Sequence, residues 1–172
     1  MNAFRYIFYF ILTVAAQILV FNGIHLFGYT NPYIYIIFIL TLPLATSRTN
    51  LLMIAFLMGF LIDIFENTGG VHAAATVFLA YCRPFILSIA GARIRDEERD
   101  KLNKLSFPSR LLYFFVGILI HHTVLFFAEA FGFTYLTSTL LRILYSTLFT
   151  FAFILFFQIW SYKKSPGRTN AA

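Results

Sequence analysis

Long apolar runs, separated by gaps that alternate between Lys/Arg-rich and Lys/Arg-free, restrict this chain to a helical fold in a membrane. Eleven of its thirteen basic residues, Arg5, Arg48, Arg93, Arg95, Arg99, Lys101, Lys104, Arg110, Lys163, Lys164 and Arg168, fall at the two ends or in every second gap. The intervening gaps, Gly28 to Pro32, Glu66 to Gly70 and Gly132 to Thr134, hold none. Because translocating Lys and Arg is disfavoured, the charged gaps are expected on the cytoplasmic side. Six crossings with both ends inside are therefore expected.

Composition excludes a soluble fold. The chain is 60% hydrophobic and 12% charged, with 23 Phe and a mean hydropathy of +0.79, so it has too few polar side chains to cover a surface in water. A net charge of +6 would suggest acidic partners in a soluble protein, but here the basic residues flank apolar runs, which argues against nucleic-acid binding. Cys82 is the single cysteine and forms no internal disulfide.

The pattern predicts one all-α membrane domain over 1–164, a bundle of six transmembrane helices at about 6–27, 31–45, 50–65, 71–92, 111–131 and 135–160. Asn31-Pro32 opens the short second span; were that span re-entrant, Arg48 would stay outside and the basic segment 93–110 would be translocated, so parity favours a full crossing. Asn67-Thr68-Gly69-Gly70 reads as the turn of a helical hairpin. The fourth helix is expected to extend past Arg93 into the cytoplasm, with Glu97 four residues before Lys101 and Asp100 four before Lys104. Trp160, Tyr162, Lys163 and Lys164 form an interfacial anchor, and 165–172 is expected to be a disordered cytoplasmic tail.

Charges within the spans are costly in hydrocarbon and are therefore the informative side chains. Ala55, Gly59, Asp63 and Glu66 share one face of the third span, its small residues permitting close helix approach. His72, Thr76, Leu79 and Arg83 lie roughly on one side of the fourth. Arg83 is expected to face the bundle interior, bonded to polar groups on other spans or to carbonyls freed by Pro84. On the fifth span Gly117, His121, Leu125 and Glu129 recur every four residues, and His122 stands seven before Glu129. Adjacent helical residues point about 100° apart, so His121 and His122 do not converge on one metal ion. Arg142, on the sixth span, is expected to pair with Asp63, Glu66 or Glu129, and Gln17 and His25 on the first span are candidates for the same network. No glycine-rich phosphate loop, Cys-x-x-Cys or nucleophile elbow is present, so neither a catalytic site nor a cofactor is expected.

The hairpin of the third and fourth spans resembles the bacterial rod shape-determining MreD family. The resemblance is carried by Gly59-Phe60-Leu61-Ile62-Asp63, by Gly69-Gly70-Val71 at the turn, and by Ala80-Tyr81 in the following span. Length, span number and the short basic tail match in outline, whereas the stretch between Asp63 and Gly70 is a residue shorter than in the family. Glu129 corresponds loosely to an acidic residue near the outer end of the family's fifth span. The resemblance implies a fold similar to the membrane substrate-binding subunits of energy-coupling-factor transporters. It also implies a non-enzymatic scaffold of the bacterial inner membrane that binds an MreC-like single-span protein. Through it, an MreB-like filament would be coupled to a RodA-type glycosyltransferase and a class B penicillin-binding protein.

The small and charged residues of the third and fourth spans would then stiffen a hairpin that presents a lateral groove to a partner helix. Two rivals make different demands on the same residues. A solute-binding transport subunit needs an outer pocket lined by Asp63, Glu66, Glu129 and Arg142, and a proton-linked enzyme needs His121, His122 and Glu129 for activity.

Overall fold

A computed structural model describes residues 3–22, 32–91, 102, 105–131 and 135–163, the last with side chains to 156. Among the described residues the regular structure is entirely helical: α1 (Ala3–Ala16), continued by a π-helical turn (Gln17–Phe21), α2 (Ile36–Thr41), α3 (Arg48–Glu66), α4 (Val71–Ile89), α5 (Phe107–Ala130) and α6 (Leu136–Lys163). Helices α3, α4, α5 and α6 pack successively on one another.

Five apolar stretches, Phe4–Phe21, Arg48–Glu66, Val71–Ile89, Phe107–Ala130 and Leu136–Phe156, are each long enough to cross about 30 Å of hydrocarbon. Their outer faces are apolar, as at Phe4, Leu19, Met53, Phe60, Phe85, Leu140 and Phe156. Their inner faces bury Gln17, Asp63, His72, Thr76, Arg83, His121, His122, Ser146 and Thr150. Large apolar side chains on the outside, with polar and charged groups held inside an otherwise apolar core, form a distribution that suits lipid rather than water.

The second expected span, 31–45, departs from expectation. Its helix, Ile36–Thr41, is six residues long, about 9 Å, and cannot cross alone. Pro43 lies inside the expected run and Leu42 leaves helical geometry at ψ 147°, so the helix stops there. The segment is instead buried among the other helices, with Tyr35, Ile36, Ile39 and Leu40 fully enclosed. Non-helical backbone at membrane depth needs protein partners, and four elements supply them. Gln17 accepts from the Ile34 amide (2.8 Å) and donates to the Pro32 carbonyl (3.2 Å), while Thr150 of α6 accepts from the Tyr33 amide (3.3 Å). Tyr113 of α5 donates to the Leu40 carbonyl (2.9 Å), and Arg83 of α4 donates to the carbonyls of Leu40 and Leu42. The segment begins beside His72 and ends at Arg48, at opposite ends of the α3–α4 hairpin, so it threads the bundle from end to end.

Helix boundaries also differ. α4 ends at Ile89, where Gly91 takes φ +70°, so the expected uninterrupted extension through Arg93 does not form; the ion pairs expected over 97–104 lie outside the described residues. α5 starts earlier than expected, capped by Ser106, whose hydroxyl accepts from the Ser109 amide, with Pro108 in the first turn. Arg110, expected in the loop, is thus buried in the start of α5.

Candidate functional site

The α3–α4 hairpin is held by contacts that begin at its small residues. A Cβ on Gly59 would lie 2.5 Å from both the Ala73 Cα and the His72 carbonyl oxygen, so only glycine permits this approach. One turn away, Thr76 donates to the Ala55 carbonyl of the facing helix (2.8 Å). The expected close packing at Ala55 and Gly59 is thus present and is sealed by a hydroxyl bond.

At the turn, Asn67 (φ 55°), Gly69 (φ 66°) and Gly70 (φ 99°) all occupy the left-handed region, reversing the chain within four residues. Gly70 is the residue before α4 and has no side chain to cap it. Asp63 performs that task from the neighbouring helix: its carboxylate accepts the backbone amides of His72 (3.0 Å) and Ala73 (2.8 Å) and the Thr68 hydroxyl (2.6 Å). A buried carboxylate at a helix N-terminus satisfies orphan amides and opposes the positive end of the dipole.

His72, fully buried, continues the chain of contacts. Its Nδ1 is 3.2 Å from Asp63 and its Nε2 is 3.3 Å from Glu66 Oε2. Its ring lies against Tyr33 and Tyr35 of the threaded segment, with ring centroids 5.6 and 6.1 Å away. Tyr35 bonds His121 Nε2 through its hydroxyl (2.9 Å), and His122 Nδ1 meets the Thr147 hydroxyl of α6 (3.1 Å). Both histidines are enclosed, because the threaded segment covers one side of α5 and α6 the other; neither faces lipid.

Glu129 and Arg142 form the expected ion pair at 2.7 Å, with Arg142 also over the Phe126 ring at 4.4 Å. Arg142 therefore partners α5, and the Asp63 cluster is built on His72 instead. Arg83 faces the interior as expected; its Nε donates to the Tyr113 hydroxyl (2.8 Å), but the carbonyls it serves belong to Leu40, Leu42 and Pro43 rather than to the turn before Pro84. Pro84 sits within α4. Gln17 binds the threaded segment, and His25 lies outside the described residues. Among the described residues no group of three His, Cys, Asp or Glu side chains converges to hold a metal ion.

A lateral recess of about 430 Å³ opens between α1, the threaded segment and α3, lined by Tyr6, Phe10, Phe38, Pro43, Ile54 and Leu57. It adjoins α1, whereas the expected groove was on the faces of the third and fourth spans. The roles of Tyr35 and Tyr113 were missed from sequence; their signal was the pairing of Pro32 and Pro43 around a run too short to span.

Fold and site together define a multi-pass, all-helical, membrane-embedded protein whose buried polar residues organise helix packing. No protein-family model matches the chain, and no curated protein or solved structure matches it either.

Proposed function

We propose that this protein is a non-enzymatic membrane scaffold of the MreD type, acting in the bacterial inner membrane as part of the cell-elongation machinery. In this reading the threaded segment 32–47 is a sixth, partly helical crossing, both termini are cytoplasmic, and the Asn67–Gly70 turn faces the periplasm. The partner is an MreC-like single-span protein, linked onward to an MreB-like filament, a RodA-type glycosyltransferase and a class B penicillin-binding protein.

The observation that carries the reading is how the resembling residues are used. Gly59, Asp63 and Gly70 serve hairpin closure, through helix contact, capping and the turn respectively. A stiff hairpin suits a docking role. The rival solute-binding subunit calls for an outer pocket lined by Asp63, Glu66, Glu129 and Arg142. Those side chains instead contact His72 or one another directly, which favours the scaffold.

Depletion in the native cell, followed by microscopy, tests the proposal: rod cells should round up. Normal shape together with a defect in uptake of a small solute would overturn it. Copurification of a single-span protein supports scaffolding, and copurification of a small solute supports transport. A label at Asn67–Gly70 reachable only from the cytosol would refute the topology.

A further inference from the structure

We infer that Asp63, His72 and Glu66 form a buried proton-binding site, in which one proton is held between His72 Nε2 and Glu66 Oε2 at the closed end of the α3–α4 hairpin. The inference does not rest on the scaffold reading.

Backbone amides can only donate, and the Asp63 oxygens accept two of them, from His72 to Oδ1 and from Ala73 to Oδ2. The Thr68 hydroxyl, 2.6 Å from Oδ1, gives its proton to the same carboxylate. Asp63 is therefore an acceptor on both oxygens, the ionised form. His72 Nδ1 lies 3.2 Å from Asp63 Oδ1 and 3.0 Å from the Thr68 oxygen, and both present lone pairs to it. Nδ1 must carry a hydrogen.

The other edge of the ring then presents a problem. A neutral imidazole with its hydrogen on Nδ1 has a lone pair on Nε2, and that lone pair faces Glu66 Oε2 at 3.3 Å. An ionised Glu66 would answer it with another lone pair. His72 cannot turn to water, its side chain being 0% exposed, and the Glu66 side chain keeps only 9% of its surface exposed. The 3.3 Å approach is not itself a hydrogen bond: His72 Nε2 and Glu66 Oε1 are both buried without hydrogen-bond partners among the described residues. One additional proton resolves the conflict, as an imidazolium facing a carboxylate or a neutral imidazole accepting from a carboxylic acid.

Among the described residues the surroundings do not supply that positive charge. Tyr33 and Tyr35 cover His72 from the threaded segment. On the α5 side stand His121, whose Nε2 meets the Tyr35 hydroxyl, and His122, whose Nδ1 meets Thr147, while His121 Nδ1 and His122 Nε2 are buried without partners among the described residues. Glu129 adds a further carboxylate, and Arg142 of α6 is engaged with it. Without the extra proton, Asp63 and Glu66 would place two like charges on one buried ring. With it, the three side chains carry one net negative charge, set against the amides that begin α4. Because His72 donates its own amide to Asp63, the proton and the start of α4 share a residue, so removing the proton should loosen the turn at 67–70.

The test uses the full chain in lipid nanodiscs with ¹⁵N-labelled histidine, His72 being assigned by His72→Gln, and ¹³C-carboxyl-labelled glutamate read by infrared spectroscopy. At neutral pH we expect either a doubly protonated His72 ring or a protonated carboxyl band that Glu66→Gln abolishes. Raising the pH should release one proton from this site and increase amide exchange at 67–72. A singly protonated His72 together with an ionised Glu66 at neutral pH would overturn the inference. Should Glu66→Gln fail to accumulate, the labelled unaltered chain still reports both groups.

Discussion

Replacing Asp63 by Ala should unfasten the start of α4 without removing the helix. The substitution strands two buried amides, those of His72 and Ala73, and removes the acceptor of the Thr68 hydroxyl. Each stranded amide costs about 1–3 kcal/mol. Loss of a buried negative charge at the helix N-terminus adds about 0.3–1 kcal/mol or more. The sum, roughly 2–7 kcal/mol, is large beside the roughly 5–15 kcal/mol that stabilises a typical domain. The Asp63 side chain is only 4% exposed, so solvent does not soften the loss. Hydrogen exchange in micelles reads it directly: a 2 kcal/mol loss lowers protection at the His72 and Ala73 amides about 30-fold. Amides near Leu79, deeper in α4, should change much less. Asp63→Asn keeps one acceptor oxygen and should fall between. Unchanged protection of both amides in Asp63→Ala would refute the capping role.

Gly59→Ala forces a Cβ against the backbone of α4, and should cost about 1–3 kcal/mol in equilibrium unfolding in detergent. Wild-type stability would show that the helices can separate freely. Arg83→Lys keeps a charge but loses the fork that reaches several carbonyls, while Arg83→Ala leaves the Leu42 carbonyl without its donor at about 1–3 kcal/mol. Cysteine accessibility at Leu42 should rise in the order wild type, Lys, Ala, and a flat series would count against the threaded segment depending on Arg83. For Glu129 and Arg142, whose side chains are 19% and 33% exposed, a double-mutant cycle should return a coupling of only about 0.2–1 kcal/mol. A coupling of several kcal/mol would mean that the pair is shielded from water.

Much of the helical hairpin was legible because its determinants are local in sequence. Ala55, Gly59, Asp63 and Glu66 recur at spacings that place small and charged groups along one face, and a helix preserves that spacing. Depth alone narrowed the partner of Arg142 to Asp63, Glu66 or Glu129, since hydrocarbon leaves a buried charge few alternatives, and the structure selects Glu129. The threaded segment was not legible in the same way. Hydropathy registers that 31–45 is apolar but not that Pro43 ends its helix, and it says nothing of Gln17, Arg83, Tyr113 and Thr150, which satisfy the freed backbone from distant positions. Gly91 was overlooked because the charged run beyond it has helical ion-pair spacing, yet one left-handed residue ends a helix whatever the spacing of its neighbours. Spacing relates both His121 and His122 to Glu129 without saying which faces the interior. A helix covered on two sides buries both.

The threaded segment also imposes a timetable on biogenesis. Tyr35 is synthesised 86 residues before its hydroxyl partner His121, and Leu40 is made 73 residues before Tyr113. At about 5–20 residues per second, ribosomes need roughly 4–17 s to produce the later partner. Until then the stretch lacks the covering that makes irregular backbone tolerable in lipid, so it should dwell in the insertion machinery or at the bilayer rim and slot into place after α5 has entered. Nascent chains arrested before residue 106 should expose 33–42 to a cysteine reagent, and full-length chains should protect it.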